Sequence, residues 1–123
     1  MTRKNITSGH PFEPVFGYSR AVVVGNQVHV SGTTGEGADV YEQATNVLAT
    51  IKGALAEAGA RLDHVVRTVV YVTDMEAHMD GVTRAHGEAF SEIRPASTLV
   101  AVTALVRPEL LVEIEAYAIL PDD

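Results

Sequence analysis

Leu110-Leu111-Val112-Glu113-Ile114-Glu115-Ala116-Tyr117-Ala118-Ile119-Leu120 is short, partly β-branched and alternates with a period of two, the pattern of a strand. Side chains of a strand point alternately to opposite faces. Glu113, Glu115 and Tyr117 therefore share one face, and Val112, Ile114, Ala116 and Ala118 the other. A carboxylate seldom occupies such a strand unless its face meets water, a partner charge or a ligand. Taken alone, the segment describes an antiparallel sheet with one core face and one solvated face.

Working back toward the N-terminus, Arg94-Pro95 punctuates the chain, and Ser97 to Thr103 reads as the preceding strand, joined to the last by Leu105 to Pro108. Thr73-Asp74-Met75-Glu76 has the spacing of a capping box, so a helix is expected from there, with Met79, Val82, Ala85, Ala89 and Phe90 as its apolar stripe. Before it, His64 to Val72 is a strongly β-branched run and is expected to be a central strand. Val40, Ala44, Val47, Leu48, Ile51 and Leu55 recur at helical spacing between Asp39 and about Ala58, with Gly59 as a stop signal. Gly17 to Val24 and Gln27 to Gly32 read as two strands of a hairpin around Gly25-Asn26, a dipeptide that tolerates the positive φ of a tight turn. Thr33 to Ala38 is a glycine-bearing loop. The order β-β-α-β-α-β-β predicts an α+β domain over residues 1–123, with two helices on one face of the sheet. The uncovered face is expected to hold Val22, Val24, Val28 or Val30 and residues of the last strands, and self-association is the simplest way to cover it.

At 123 residues the chain can form one core without metal or disulfide staples, and it has no cysteine, which removes thiolate chemistry and cysteine-based metal sites. A net charge of −7, with nine scattered basic residues of which two are lysines, weighs against nucleic acid as the main partner. No apolar run approaches the ~20 residues that span a bilayer, and no apolar region follows the basic N-terminal residues, so no membrane partner is expected and a cytoplasmic location is. The five histidines lack zinc-ligand spacing, and no phosphate loop or Gly-x-Ser-x-Gly elbow is present, so neither metal nor cofactor is expected.

Gly17-Tyr18-Ser19-Arg20-Ala21-Val22, Val30-Ser31-Gly32-Thr33, Leu62-Asp63-His64-Val65-Val66-Arg67-Thr68, Arg94-Pro95-Ala96-Ser97-Thr98 and Val112-Glu113-Ile114-Glu115-Ala116, in that order, resemble the Rid/YjgF family from about Gly17 to Ile119. The resemblance implies a chorismate-mutase-like protomer with a mixed sheet, a homotrimer, and clefts between subunits that bind small carboxylate-bearing metabolites. In the best-known branch it implies hydrolysis of reactive enamines and imines to ketoacids and ammonia. It places Tyr18, Ser31, Gly32, Ser97 and Thr98 at the ligand and gives Glu113 the role of positioning or activating a water.

One position departs from that pattern. The resembled branch carries an arginine in a Pro-Ala-Arg-Ser segment, and here the position is Ser97. A guanidinium offers a permanently charged bidentate donor pair, a serine hydroxyl one neutral donor. Efficient deamination of carboxylate-bearing imines such as 2-aminoacrylate is therefore not expected. Arg20, Arg94 and Arg107 are the candidate replacements, and His86 falls where the family often has an aromatic residue. Two functions follow: a hydrolase of imines, enamines or related small substrates using Glu113, or a non-catalytic metabolite-binding trimer.

Overall fold

The computed structural model describes residues 2–121. A six-stranded sheet runs in the order β1-β2-β3-β6-β4-β5, with β1 (Arg3–Ile6), β2 (Ala21–Val24), β3 (Gln27–Thr33), β4 (Val65–Thr73), β5 (Ala96–Val102) and β6 (Val112–Ile119). Helices α1 (Val40–Glu57) and α2 (Met75–Phe90) form the second layer. Only the β4–β5 pair is parallel, which makes the sheet mixed and requires α2 as its crossover.

Val112, Ile114, Ala116 and Ala118 of β6 are buried together with Val28 and Val30 of β3 and Val70 and Val72 of β4. On α1 they meet Val40, Ala44, Val47, Leu48, Ile51 and Leu55, and on α2 Val82, Ala85 and Phe90. The apolar half of the β6 alternation is thus the sheet side of the core. Register fixes the rest: Val28 lies opposite Ala118, and His29 opposite Tyr117. Val28 and Val30 therefore belong to the helix-covered face, not to the open one, while Val22, opposite His29, does lie on the open face.

Asp39 caps α1 by accepting from the Glu42 amide at 2.8 Å, and Gly59 leaves the helix at φ 86°. At α2 the cap is Asp74 rather than Thr73. Its carboxylate accepts from the Ala77 amide at 3.3 Å, so the capping box expected from Thr73 and Glu76 does not form. The β2–β3 turn has a positive φ at Gly25 and not at Asn26, the signature of a II′ hairpin.

The N-terminal third departs most from expectation. Arg3–Ile6 forms an additional edge strand that its polar sequence does not announce, and only Ile6 of it is buried. Gly17 to Arg20 is not strand: a π-helical turn over Glu13–Gly17 precedes it, and β2 begins at Ala21. Glu13 explains the turn, because its carboxylate accepts from Thr7 Oγ1 (2.7 Å), the Ser8 amide (2.7 Å) and Ser8 Oγ. These bonds hold Glu13 below the ordinary carboxylate range, with Ser8 the first cause. A single turn of 3₁₀ helix, Leu62–His64, delays the start of β4 to Val65.

Candidate functional site

Glu113 and Gly32 come together as neighbours on β6 and β3. A Cβ on residue 32 would overlap the Glu113 carboxylate, so the absent side chain is the space that carboxylate occupies. The sheet register shifts between Val30 and Thr33, which turns Ser31 and Gly32 out of the regular ladder beside it. Among the described residues nothing donates a hydrogen bond to Glu113. Half-burial, and then the charge of Glu115, raise its pKa above the usual carboxylate value. A half-buried carboxylate with free lone pairs and an elevated pKa is suited to take a proton from water.

Glu115, one pleat along the same face, is differently employed. Its Oε1 accepts from the Tyr71 hydroxyl (3.2 Å) and the Tyr117 hydroxyl (2.9 Å). Burial first, and then this carboxylate, raise the pKa of both tyrosines. Glu115 is a fixed structural acceptor, and its charge is one of the causes acting on Glu113.

Tyr18 and Ser31 line one open cavity of about 600 Å³, with Asn5 and Arg3 of β1 on its wall. Ser31 is held by its own bonds: its Oγ donates to Ser19 O at 2.6 Å and its amide to Arg20 O at 3.0 Å. Tyr18 packs edge-on to Phe16, which stacks on Phe12 at 5.7 Å between centroids. Phe12, Val15 and Phe16 remain exposed, so an apolar rim adjoins the cavity. Arg3 escaped the sequence analysis because the strand that carries it did.

Ser97 and Thr98 lie on β5 and, being adjacent strand residues, point to opposite faces. Thr98 is on the open face, where its Oγ1 accepts from Arg67 Nη2 at 2.9 Å. Ser97 is on the helix side, opposite Thr68. There Thr68 Oγ1 donates to Ser97 Oγ at 2.8 Å and lies 2.9 Å from His86 Nε2. Strands β4 and β6 separate β5 from β3, a distance of about 14 Å at the usual strand spacing. Within one protomer the structure does not bring Ser97 or Thr98 to Ser31 and Gly32.

The candidate replacement cations are placed as follows. Arg107 is bound to Glu36 (3.0 Å) and Glu109 (3.5 Å). Arg20 donates from Nη1 to Thr33 Oγ1 at 2.7 Å, while its Nε is buried without a partner. It lines a second cavity of about 300 Å³ against α1, not the one with Tyr18. Arg94 is exposed at φ 56° in the turn between α2 and β5. Arg67, beside Thr98 on the face of Glu115, was not anticipated. Its signal was available in the pairing of the β-branched run with the Ala96–Val102 segment, which could have been guessed but not registered. Among the described residues no group of three or more His, Asp or Glu is placed to hold a metal, and no helix is long and apolar enough to cross a membrane.

This combination of mixed sheet, paired helices and a glutamate seated on a strand glycine defines the class of small α+β proteins built on the YjgF plan. The sequence profile of the family described as Endoribonuclease L-PSP matches residues 8–120, and the chain belongs to this YjgF/RutC/Rid family. A crystal structure of a YjgF/YER057c/UK114 family member from Mycobacterium tuberculosis superimposes with a TM-score of 0.94 at 49% identity, covering 97% of this chain and 100% of that one. A RutC family protein of Pyrococcus abyssi is 39% identical over 96% of this chain and 98% of its own length. The 3-aminoacrylate deaminase RutC of Acinetobacter baylyi is 34% identical over 85% of this chain and 88% of its own length.

Proposed function

We propose that this protein is a hydrolase of small imines, enamines or related substrates, working in clefts completed by a second copy within a homotrimer. The observation that carries this reading is the Glu113 carboxylate, seated over Gly32, free of protein donors and raised in pKa by burial and Glu115. In the reaction Glu113 takes a proton from water as the oxygen bonds to the imine carbon. The proton then passes to the nitrogen to give a carbinolamine, its hydroxyl proton follows to the nitrogen through the same carboxylate as the C–N bond breaks, and a carbonyl compound and ammonia leave. An A. baylyi relative named as a 3-aminoacrylate deaminase supports this chemistry.

The trimer is supported by the division of the site. Ser97 and Thr98 lie on an edge strand far from Gly32 of the same chain, so a second copy is needed to bring the two halves together. Light scattering is expected to give about 39 kDa, three chains of 13.1 kDa. A monomer mass at micromolar concentration removes the two-chain site.

A coupled assay that generates 2-aminoacrylate from serine and follows its loss tests the chemistry. Turnover is expected to be well below that of arginine-bearing relatives, because Ser97 cannot grip a carboxylate bidentately. Glu113→Gln should lower what remains by roughly 10²-fold or more. If Glu113→Gln is silent while ligand still binds, the second reading stands: a metabolite-binding trimer without catalysis, which the loss of the arginine favours. A ribonuclease reading draws support from the family's description but not from a chain of net charge −7.

A further inference from the structure

At the position where the resembled branch has its arginine, the chain has a hydrogen-bonded row instead: His86 Nε2, Thr68 Oγ1 and Ser97 Oγ, with steps of 2.9 and 2.8 Å. Thr68 is wholly buried and has one proton. Donating it to Ser97 leaves its lone pairs facing the imidazole, so Nε2 carries a hydrogen and donates to Thr68. Each group then donates toward the surface, and the Ser97 hydroxyl, exposed on the edge strand, keeps its own proton for a further acceptor. Donor chains of this kind polarise one another, so the last hydroxyl is a better donor than an isolated serine.

We propose that His86 acts through Thr68 and Ser97 as a relayed substitute for the missing arginine, making this half of the site a proton-dependent receptor for an anionic or carbonyl oxygen. This inference rests on the cleft reading above. With His86 neutral, Ser97 offers one polarised donor, which suits an uncharged carbonyl such as an amide. With His86 protonated, a positive charge stands two hydrogen bonds behind that donor, and a carboxylate gains an electrostatic partner. An arginine would hold carboxylates at every pH, whereas this arrangement holds them in acid.

The surroundings leave His86 as the only nearby group that titrates in the row. On α2 the residues one turn away, Val82, Thr83, Ala89 and Phe90, are uncharged, and Phe90 packs on the ring at 4.8 Å. Arg84 and Glu88 pair with each other at 3.5 Å next to Tyr41. On β4 and β5 the residues of the same face, Thr68, Val70, Ser97 and Leu99, are uncharged, and Arg67 is turned to the opposite face. Glu92 and Arg94, in the turn after α2, are exposed. Burial alone displaces His86, lowering its pKa, so the neutral form prevails at pH 7 and charging begins below the ordinary histidine range.

The test uses pyruvate, whose charge is constant between pH 5 and 8, and pyruvamide as its neutral counterpart, with affinities from NMR titration of the intact protein. In a Glu113→Gln background, which removes the other group of the proposed cleft that titrates toward acid, pyruvate should bind roughly fivefold or more tightly at pH 5 than at pH 8, and pyruvamide equally at both. By reciprocity, saturating pyruvate should raise the His86 pKa read from its ¹⁵N shifts. Thr68→Val, which keeps the shape and removes the link, should flatten the pyruvate profile and abolish that rise. Ser97→Ala, at an exposed position that should not affect folding, should do the same. A merely structural Thr68 would cost stability and leave the profile in place, and that result overturns the relay. Pyruvate binding that is independent of pH in that background also overturns it while leaving the cleft intact. No binding of either probe at any pH overturns the cleft reading and this inference together.

Discussion

Ile114 and Glu113 are chain neighbours, yet they belong to two different proteins in physical terms. Ile114 looks into the helix-covered face, where Val, Ile, Leu and Ala side chains exclude water and the sheet is glued to α1 and α2. Glu113 looks onto the open face, where Glu115, Tyr71, Tyr117, His29 and Arg67 are half-buried or exposed. The first face is closed within one chain, where α1 and α2 bury the apolar side chains of β3, β4 and β6. The second carries the carboxylates, tyrosines and arginine, and it is the face to which the proposed function assigns Glu113. Stability is therefore written on one side of the sheet and the proposed chemistry on the other, with Thr68, Ser97 and His86 as the polar exception on the helix side.

The largest effect that could break this division is on the covered face. Ile114→Ala should cost about 2–5 kcal/mol, the range for truncating a fully buried aliphatic side chain, read as a lowered urea midpoint with unchanged slope. A loss under ~1 kcal/mol would mean that the core can collapse around β6, and that the covered face is less close-packed than its burial indicates.

Next in size is the contact between Gly32 and Glu113. Gly32→Ala should displace the carboxylate and lower turnover or affinity about as much as Glu113→Gln does. It should cost little stability, because the displaced atoms are the end of a flexible side chain. In a Glu113→Ala background the same Gly32→Ala change should have almost no further effect, a coupling that a double-mutant cycle measures. Additive effects would show that the two residues do not act as one unit.

A smaller change is expected at Glu115. Glu115→Gln keeps an oxygen for Tyr71 and Tyr117 but removes the charge, which should cost about 0.5–1.5 kcal/mol. Because burial is the larger cause of their raised pKa values, both tyrosines should titrate lower than in the parent and still above their ordinary value. Ultraviolet titration of the phenolates checks this. Tyrosines unmoved by the change would place Glu115 in solvent rather than in the face.

The two faces also differ in how far a sequence can speak for them. The alternation from Val112 to Ile119 declares which residues enter the core, because burial depends on residue type and period alone, and the helical spacing from Val40 to Leu55 does the same for α1. The sequence also carried the turn at Gly25, and the family resemblance implied that Glu113 and the Val-Ser-Gly segment serve the same ligand, whereas their direct contact appears only in the structure. It was silent where a contact joins distant residues of unremarkable type. Arg3 to Ile6 lacks an apolar alternation, and its strand exists because β2 offers an edge. Glu13 shapes the turn before Tyr18 through Thr7 and Ser8, which no local pattern predicts. Val28 and Val30 could have faced either way until the register with β6 was known. Ser97 and Thr98 were paired by adjacency, although strand geometry alone requires them to part.

The smallest expected effect is the one that most directly tests what Glu113 is for. Its folded-state pKa is raised above 4.5, first by burial and then by Glu115, so the unfolded chain gives up this proton more readily than the folded one. Ionising it therefore costs the fold stability. The cost is absent below the unfolded pKa and grows as pH rises from there through the higher folded-state pKa. Glutamine has no such cost. Glu113→Gln should match the parent in urea midpoint near pH 4 and exceed it at pH 7, by a margin kept small because the carboxylate is half open to solvent. A variant that is more stable and less active is what a carboxylate held for chemistry rather than for the fold must give. If Glu113→Gln is instead less stable at pH 7, the carboxylate has a donor in the assembled protein. The open face would then be a second structural face, and the contrast with Ile114 would disappear.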